Sequence, residues 1–145
     1  MYGDPRDPVV TSLLLESHAL MERLFPAESN NFLSVDALCE PNIRFFVGLI
    51  KGQTKGVGAL SLKTNYGELK SMFVSEDARG SGLADVILDR IKTEARANGL
   101  AKLMLETGTL LYAAHAFYRR NGYQQCGHFG DYLDTPYSLY MEKVL

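Results

Sequence analysis

Residues 68–99, ELKSMFVSEDARGSGLADVILDRIKTEARANG, decide the reading of this chain. Residues 68–74 mix β-branched, aromatic and long apolar side chains over a strand-sized run, and 75–81 are turn chemistry. From Gly82 the apolar positions Leu83, Ala84, Ile87, Leu88, Ile91 and Ala95 recur at spacings of three and four. Asp85, Asp89, Lys92 and Arg96 take the other face, which predicts an amphipathic helix over 80–99. Gly99, after Asn98, sits where a helix ends in a left-handed residue. A strand therefore runs through Arg79-Gly80-Ser81-Gly82 straight into a helix. The first N–H groups of a helix lack internal partners and its dipole makes that end partly positive, so an anion is stabilised there. Glycine removes the Cβ that would keep a phosphate away from the backbone. A tight turn that binds nothing is the plain alternative.

Two familiar phosphate loops do not fit. A P-loop needs Lys-Ser/Thr after its last glycine, and Leu83-Ala84 stand there. A dinucleotide fingerprint needs a third small residue where GSGLAD has Asp85, whose carboxylate would repel a pyrophosphate if turned inward.

Arg79-Gly80-Ser81-Gly82-Leu83-Ala84 resembles instead the Q/R-x-x-G-x-G/A signature of the GNAT acyl-CoA-dependent N-acetyltransferases. The preceding ELKSMFVSEDA looks like that family's central strand. Downstream, Leu105-Glu106-Thr107-Gly108 followed by Ala114, Tyr118, Gly122 and Tyr123 is similar to its LETG…A…Y…GF/Y run. The matching features cover about the last 80 residues in the family's order and spacing.

Composition agrees with such a domain. The 145 residues are enough for one domain, 1–145, with a real core. Apolar residues make up 46% and charged residues 22%, and 15 basic against 17 acidic residues leave a net charge of −2. That balance implies neither nucleic acid nor an anionic membrane as partner. No apolar run approaches the roughly 20 residues of a membrane span, and MYGDPRDP is no signal peptide. Cys39 and Cys126 have neither metal nor disulfide-framework spacing. A cytoplasmic protein is the simplest expectation.

Along the chain, residues 1–7 read as a loose lead-in, leaving little room for the strand with which GNAT domains usually begin. Residues 8–24 form a helix with Val9, Leu13, Leu14, Ser17, Leu20, Met21 and Leu24 on one side. Residues 26–31 break it, and Ser34 caps a short helix over 35–39. Strands follow over 43–50 and 56–62, joined through Lys51-Gly52-Gln53-Thr54, and a turn at 65–67 leads to the strand at 68–74. Short turns imply an antiparallel meander. Beyond the long helix come a strand over 102–107, a helix over 112–120, and strands over 123–126 and 138–143. The fold class is α/β: a mixed, mostly antiparallel sheet flanked by helices, its first strand missing or short.

The resemblance implies more. The family's sheet splays at the central strand and acetyl-CoA enters the gap, its pantetheine arm bonding to strand backbone, here at Met72, Phe73 and Val74. The pyrophosphate lies over the N–H groups of Gly80, Ser81, Gly82, Leu83 and Ala84, with Arg79 beside it. Transfer to an amine needs a base for nitrogen and an acid for the leaving thiolate. Tyr118 aligns with the family tyrosine beside the thioester sulfur and is the acid candidate. Glu68, 11 residues before Arg79, stands where the histone-lysine branch carries its catalytic glutamate and is the first choice of base; Glu106 is the alternative. Lys70, if it pairs with either carboxylate, weakens that one as a base.

The histidines rank lower: His18 is expected packed or exposed, His115 close to Tyr118, and His128 with Asp131 and Tyr132 near the acceptor. No metal is expected. Leu111 departs from the Asn or Gln that many relatives carry seven residues before the tyrosine. The expected activity is acetyl transfer from acetyl-CoA to a primary amine of a small molecule. A protein N-terminus or lysine is the runner-up acceptor, and a non-catalytic acyl-CoA-binding module or a nucleotide-binding domain the readings from other classes. A homodimer is compatible with the resemblance.

Overall fold

In the computed structural model, which describes residues 1–145, six strands form one sheet in the order β1-β2-β3-β4-β6-β5. These are β1 (Ile43–Ile50), β2 (Gln53–Leu62), β3 (Gly67–Val74), β4 (Lys102–Gly108), β5 (Gln124–Cys126) and β6 (Ser138–Val144). Helices α1 (Pro8–Leu24), α2 (Leu83–Ala97) and α3 (Tyr112–Arg120) flank it. Every pairing is antiparallel except β3 with β4. The expected mixed, mostly antiparallel sheet is therefore present.

α1 starts where its sequence says it should. Asp7 accepts hydrogen bonds from the N–H groups of Val9 and Val10, and Pro8 fills the first helical position, where no N–H is needed. Its buried stripe is Val10, Leu13, Leu14 and His18; Val9 and Leu24, expected inside, are exposed. α2 buries Leu83, Ile87, Leu88, Ile91 and Ala95 on the opposite face of the sheet. Each large side chain removed from water there contributes about 1.5–3 kcal/mol.

Three local expectations are corrected, and the expected shortness of the first strand holds. The long helix begins at Leu83, not at residue 80, because Gly80 and Gly82 have φ of 80° and 87° and cannot continue a right-handed helix. β2 begins at Gln53, since Lys51 and Gly52 alone make the turn, both at positive φ as a two-residue hairpin requires. The short helix at 35–39 is a single 3₁₀ turn, Ala37–Cys39, in which Ser34 Oγ accepts from the Ala37 N–H. The first strand survives only as a bridge, Tyr2 opposite Phe46, anchored by the Tyr2 hydroxyl on Glu94 at 2.6 Å.

Two features of β3 position the site. It pairs with β4 only at Gly67–Leu103 and Glu68–Met104, so from Leu69 onward its β4-side edge is unpaired. On its other side the register with β2 slips: Val57 faces Phe73 and Ala59 faces Lys70, leaving Ser71 and Met72 together opposite Gly58. Such a bulge bends the strand. The sheet splays there. No helix is long and apolar enough to cross a membrane.

Candidate active site

The parted strands open a cleft whose walls include Met72, Ser71 and Lys70 from β3 and Leu105, Glu106, Thr107 and Gly108 from β4. Met21 and Phe25 of the α1 end and residues 29–32 cover one side, and Leu111, Ala114 and Tyr118 the other. Tyr118 is buried, and its hydroxyl has no hydrogen-bond partner within the protein. Burial pushes its pKa well above the usual tyrosine value, so the hydroxyl stays protonated. His115 does not reach Tyr118; its Nε2 meets the Gly108 carbonyl at 2.8 Å and ties α3 to the end of β4.

Glu106 faces this cleft. Burial raises its pKa above the ordinary carboxyl value, and the Ser138 hydroxyl, donating to Oε2 at 2.7 Å, opposes that only in part. Glu68 lines a neighbouring hollow with Tyr66, Asp131 and Tyr132, and does not line the Tyr118 cleft. Its carboxylate accepts a hydrogen bond from the Tyr132 hydroxyl and lies 3.3 Å from Lys70 Nζ. Lys70 also donates to Tyr132 Oη at 2.7 Å and to the Asn31 carbonyl at 3.0 Å, so it separates the two hollows. The conditional pairing read from sequence is thus formed, with Glu68.

At the other end of the cleft, β3 leads through a 3₁₀ turn (Glu76–Ala78) into the glycine loop. The amides of Gly80, Gly82 and Ala84 donate to nothing in the chain; those of Ser81 and Leu83 bond to Ala78 O and Ser81 Oγ. A Cβ at Gly80 or Gly82 would meet no atom within 4 Å, so the cradle opens to solvent. Asp85 turns away toward Asn121 Nδ2 at 3.1 Å and Arg120, so its charge does not oppose an anion at the loop. Arg79 is exposed. Met72 lines the cleft, while Phe73 packs on the α1 side of the sheet and Val74 near Gly56.

Of the remaining candidates, His18 is buried and stacked on Phe32 with centroids 4.1 Å apart, and burial lowers its pKa. His128 is exposed, 6.4 Å from the Tyr140 ring. Leu111 lines the cleft at the start of α3. No three His, Cys, Asp or Glu side chains gather in a metal-holding group. The sequence reading missed Asn31, Ser71 and Ser138. Ser71 carried no signal, being a polar residue inside a strand run with no glycine to mark a bulge. Ser138 reaches Glu106 only through the β4–β6 register.

The chain as a whole has counterparts among known proteins. The acetyltransferase (GNAT) family profile matches residues 13–123. The IAA acetyltransferase of Azospirillum brasilense is 43% identical over 143 residues, covering 97% of this chain and 94% of its own. A solved acyl-CoA N-acyltransferase candidate from Klebsiella pneumoniae superposes with a TM-score of 0.83 at 29% identity, over 100% of this chain and 95% of its own. The PaiA N-acetyltransferase of Thermoplasma acidophilum, solved with coenzyme A, superposes at 0.76 with 13% identity, over 100% and 97% of the two chains, a likeness of fold. The chain belongs to the GNAT family of N-acetyltransferases.

Proposed function

We propose that the enzyme transfers an acetyl group from acetyl-CoA to the primary amine of a small molecule by direct attack, with Tyr118 as acid and Glu106 as base. One observation carries this reading: Tyr118 and a carboxylate with a raised pKa line the same cleft, where β3 and β4 part. The free amides at Gly80, Gly82 and Ala84 suit a pyrophosphate, with Ser81 and Leu83 shaping the loop and Arg79 adding charge. The unpaired edge of β3 at Met72, Phe73 and Val74 suits the amides of a pantetheine arm.

An amine reaches the cleft protonated, its pKa near ~10. Glu106 takes one proton from the ammonium, and the second, shed by nitrogen once it has bonded to carbon, restores the Tyr118 phenol after that group has protonated sulfur. The nitrogen bonds to the thioester carbonyl carbon, the C–S bond breaks with its electron pair on sulfur, and Tyr118 protonates the thiolate. A thiol pKa near ~8.5 lies below that of the phenol, so the transfer is uphill as a free equilibrium and depends on Tyr118 touching sulfur while the C–S bond breaks; closeness to sulfur matters more than acidity. Glu68 is the second choice of base: its carboxylate is held by Lys70 and Tyr132, and it suits a role in shaping the acceptor side. A small acceptor accords with the name of the 43%-identical relative, IAA acetyltransferase.

The test is CoA release from acetyl-CoA with polyamines, amino acids, aminoglycosides and short peptides, in wild type, Tyr118→Phe, Glu106→Gln and Glu68→Gln, with acetyl-CoA binding followed by calorimetry. Release that needs a small amine and collapses in Tyr118→Phe and Glu106→Gln, binding kept, is the expected result. Release with peptides alone assigns the enzyme to a protein acceptor. Collapse in Glu68→Gln with full activity in Glu106→Gln exchanges the two carboxylates, and binding with no release for any acceptor speaks for a regulatory module.

A further inference from the structure

We propose that the acceptor is a primary monoamine carried on an aromatic ring, its ring seated among Phe25, Phe32 and Tyr137 and its nitrogen at Glu106; the proposal rests on the acetyl-transfer reading. The charges of the cleft set the first half of that description. Two of its lining side chains are charged, Lys70 and Glu106. Lys70 has its three N–H groups committed, to the Glu68 carboxylate at 3.3 Å, Tyr132 Oη at 2.7 Å and the Asn31 carbonyl at 3.0 Å. No cation of the cleft is thus free to hold a carboxylate. Glu68 and Asp131 lie beyond Lys70, in the neighbouring hollow. One carboxylate therefore faces one ammonium. A second ammonium on the acceptor would meet the Lys70 charge and no acid, and a charge without a partner there weakens binding. A carboxylate beside the amine would meet Glu106.

The walls set the second half. The glycine loop that suits CoA opens α2, and α2 lies on the face of the sheet opposite α1. The acceptor is left the α1 side, and there the rings stand. Phe25, at the end of α1, is 7% exposed and packs on the backbone of Gly108, where a Cβ would have no room. Phe32 stacks on His18 and still is 36% exposed. Tyr137 is 40% exposed; its carbonyl accepts from the Thr109 N–H at 3.0 Å, which pins it at the end of β4. Ser138, the next residue, donates to Glu106, so this ring stands one residue from the contact that holds the base. All three rings line the cleft. Single exposed aromatics are ordinary on a surface, but two on the rim of one cleft, with a third buried in its wall, make a slot for a flat apolar body. Ring-on-ring packing then favours an aromatic body over an aliphatic one.

Steady-state CoA release with phenylethylamine, butylamine, putrescine and phenylalanine separates these features. The expected kcat/KM for phenylethylamine is about 10- to 100-fold above that for butylamine. Putrescine, which adds an ammonium to butylamine, falls at least about 10-fold below it, and phenylalanine, which adds a carboxylate to phenylethylamine, at least about 10-fold below that parent. Phe32→Ala and Tyr137→Ala change partly exposed rings, and acetyl-CoA binding by calorimetry verifies that each variant is folded. Each should lower the ratio of kcat/KM for phenylethylamine over butylamine about 3- to 10-fold. Phenylethylamine no better than butylamine, or putrescine or phenylalanine used as well as its parent, overturns the proposal and leaves acetyl transfer standing. A ratio unchanged in both variants does the same. A wild type that does not bind acetyl-CoA, or that releases CoA with no amine, overturns the acetyl-transfer reading, and the proposal with it.

Discussion

Glu68 and Glu106 stand on the neighbouring strands β3 and β4, on either side of Lys70, in opposite surroundings. Glu68 is 5% exposed but shares its charge with the Lys70 ammonium and the Tyr132 phenol. Glu106 is half-buried, receives one hydroxyl hydrogen bond, and feels the Lys70 charge through space without an ion pair. A bonded cation and phenol hold the Glu68 carboxylate in place, whereas burial favours the protonated form of Glu106. The contrast teaches that a glutamate's chemistry follows from its neighbours more than from its distance along the chain to the glycine loop. On the proposed mechanism it also divides the acceptor side into a braced wall and a reactive face.

The largest effect expected from this division is on turnover. Glu106→Gln should lower kcat/KM about 10²- to 10⁴-fold, the usual worth of a positioned base, with acetyl-CoA affinity kept; Glu68→Gln should cost far less. Steady-state CoA release with a productive amine measures both, and a reversed order would exchange the two roles.

Next comes stability. Lys70→Met strands the Glu68 carboxylate in the interior, and removing one partner of a buried pair costs about 3–5 kcal/mol in urea unfolding. Adding Glu68→Gln to Lys70→Met should recover most of that loss; without recovery the pair is not what braces the wall. Tyr132→Phe deletes one hydrogen bond to the same carboxylate and should cost less, about 1.5–3 kcal/mol.

The smallest effect is a pH slope. Glu106 holds its proton more tightly in the folded chain than in the unfolded one, whose carboxyl value is 4.5. Its stabilisation is therefore complete below that value and is lost as pH rises through the raised folded pKa. Urea midpoints followed upward from pH 4.5 should fall more steeply in wild type than in Glu106→Gln. The acid limb of kcat/KM should likewise lie above the ordinary carboxyl range. An identical slope in both proteins would remove Glu106 as the titrating group.

Several elements were legible because their causes are local. The helix over 8–24, the apolar spacing of α2 and a hairpin connection after β1 each have causes within a few residues, and structure bears them out with shifts of up to three residues at their ends. The misplaced stripe of α1 has a different origin. Val9 and Val10 are equally apolar neighbours, and only the sheet beneath the helix selects Val10.

By itself the sequence determined the strand, glycine loop and helix of residues 68–99, the order of elements that follows, and with them the family. Glycine at positive φ, apolar period and turn chemistry act over short range, so a linear reading captures them. Tertiary structure alone decided which carboxylate shares the cleft with Tyr118, that Lys70 is committed to Glu68, and that Ser71 sits strained in a bulge. Those facts depend on strand register and on contacts such as Tyr132 with Glu68, 64 residues apart. Such contacts form only when whole elements pack, and packing answers to the summed burial of many side chains, not to the spacing of a few.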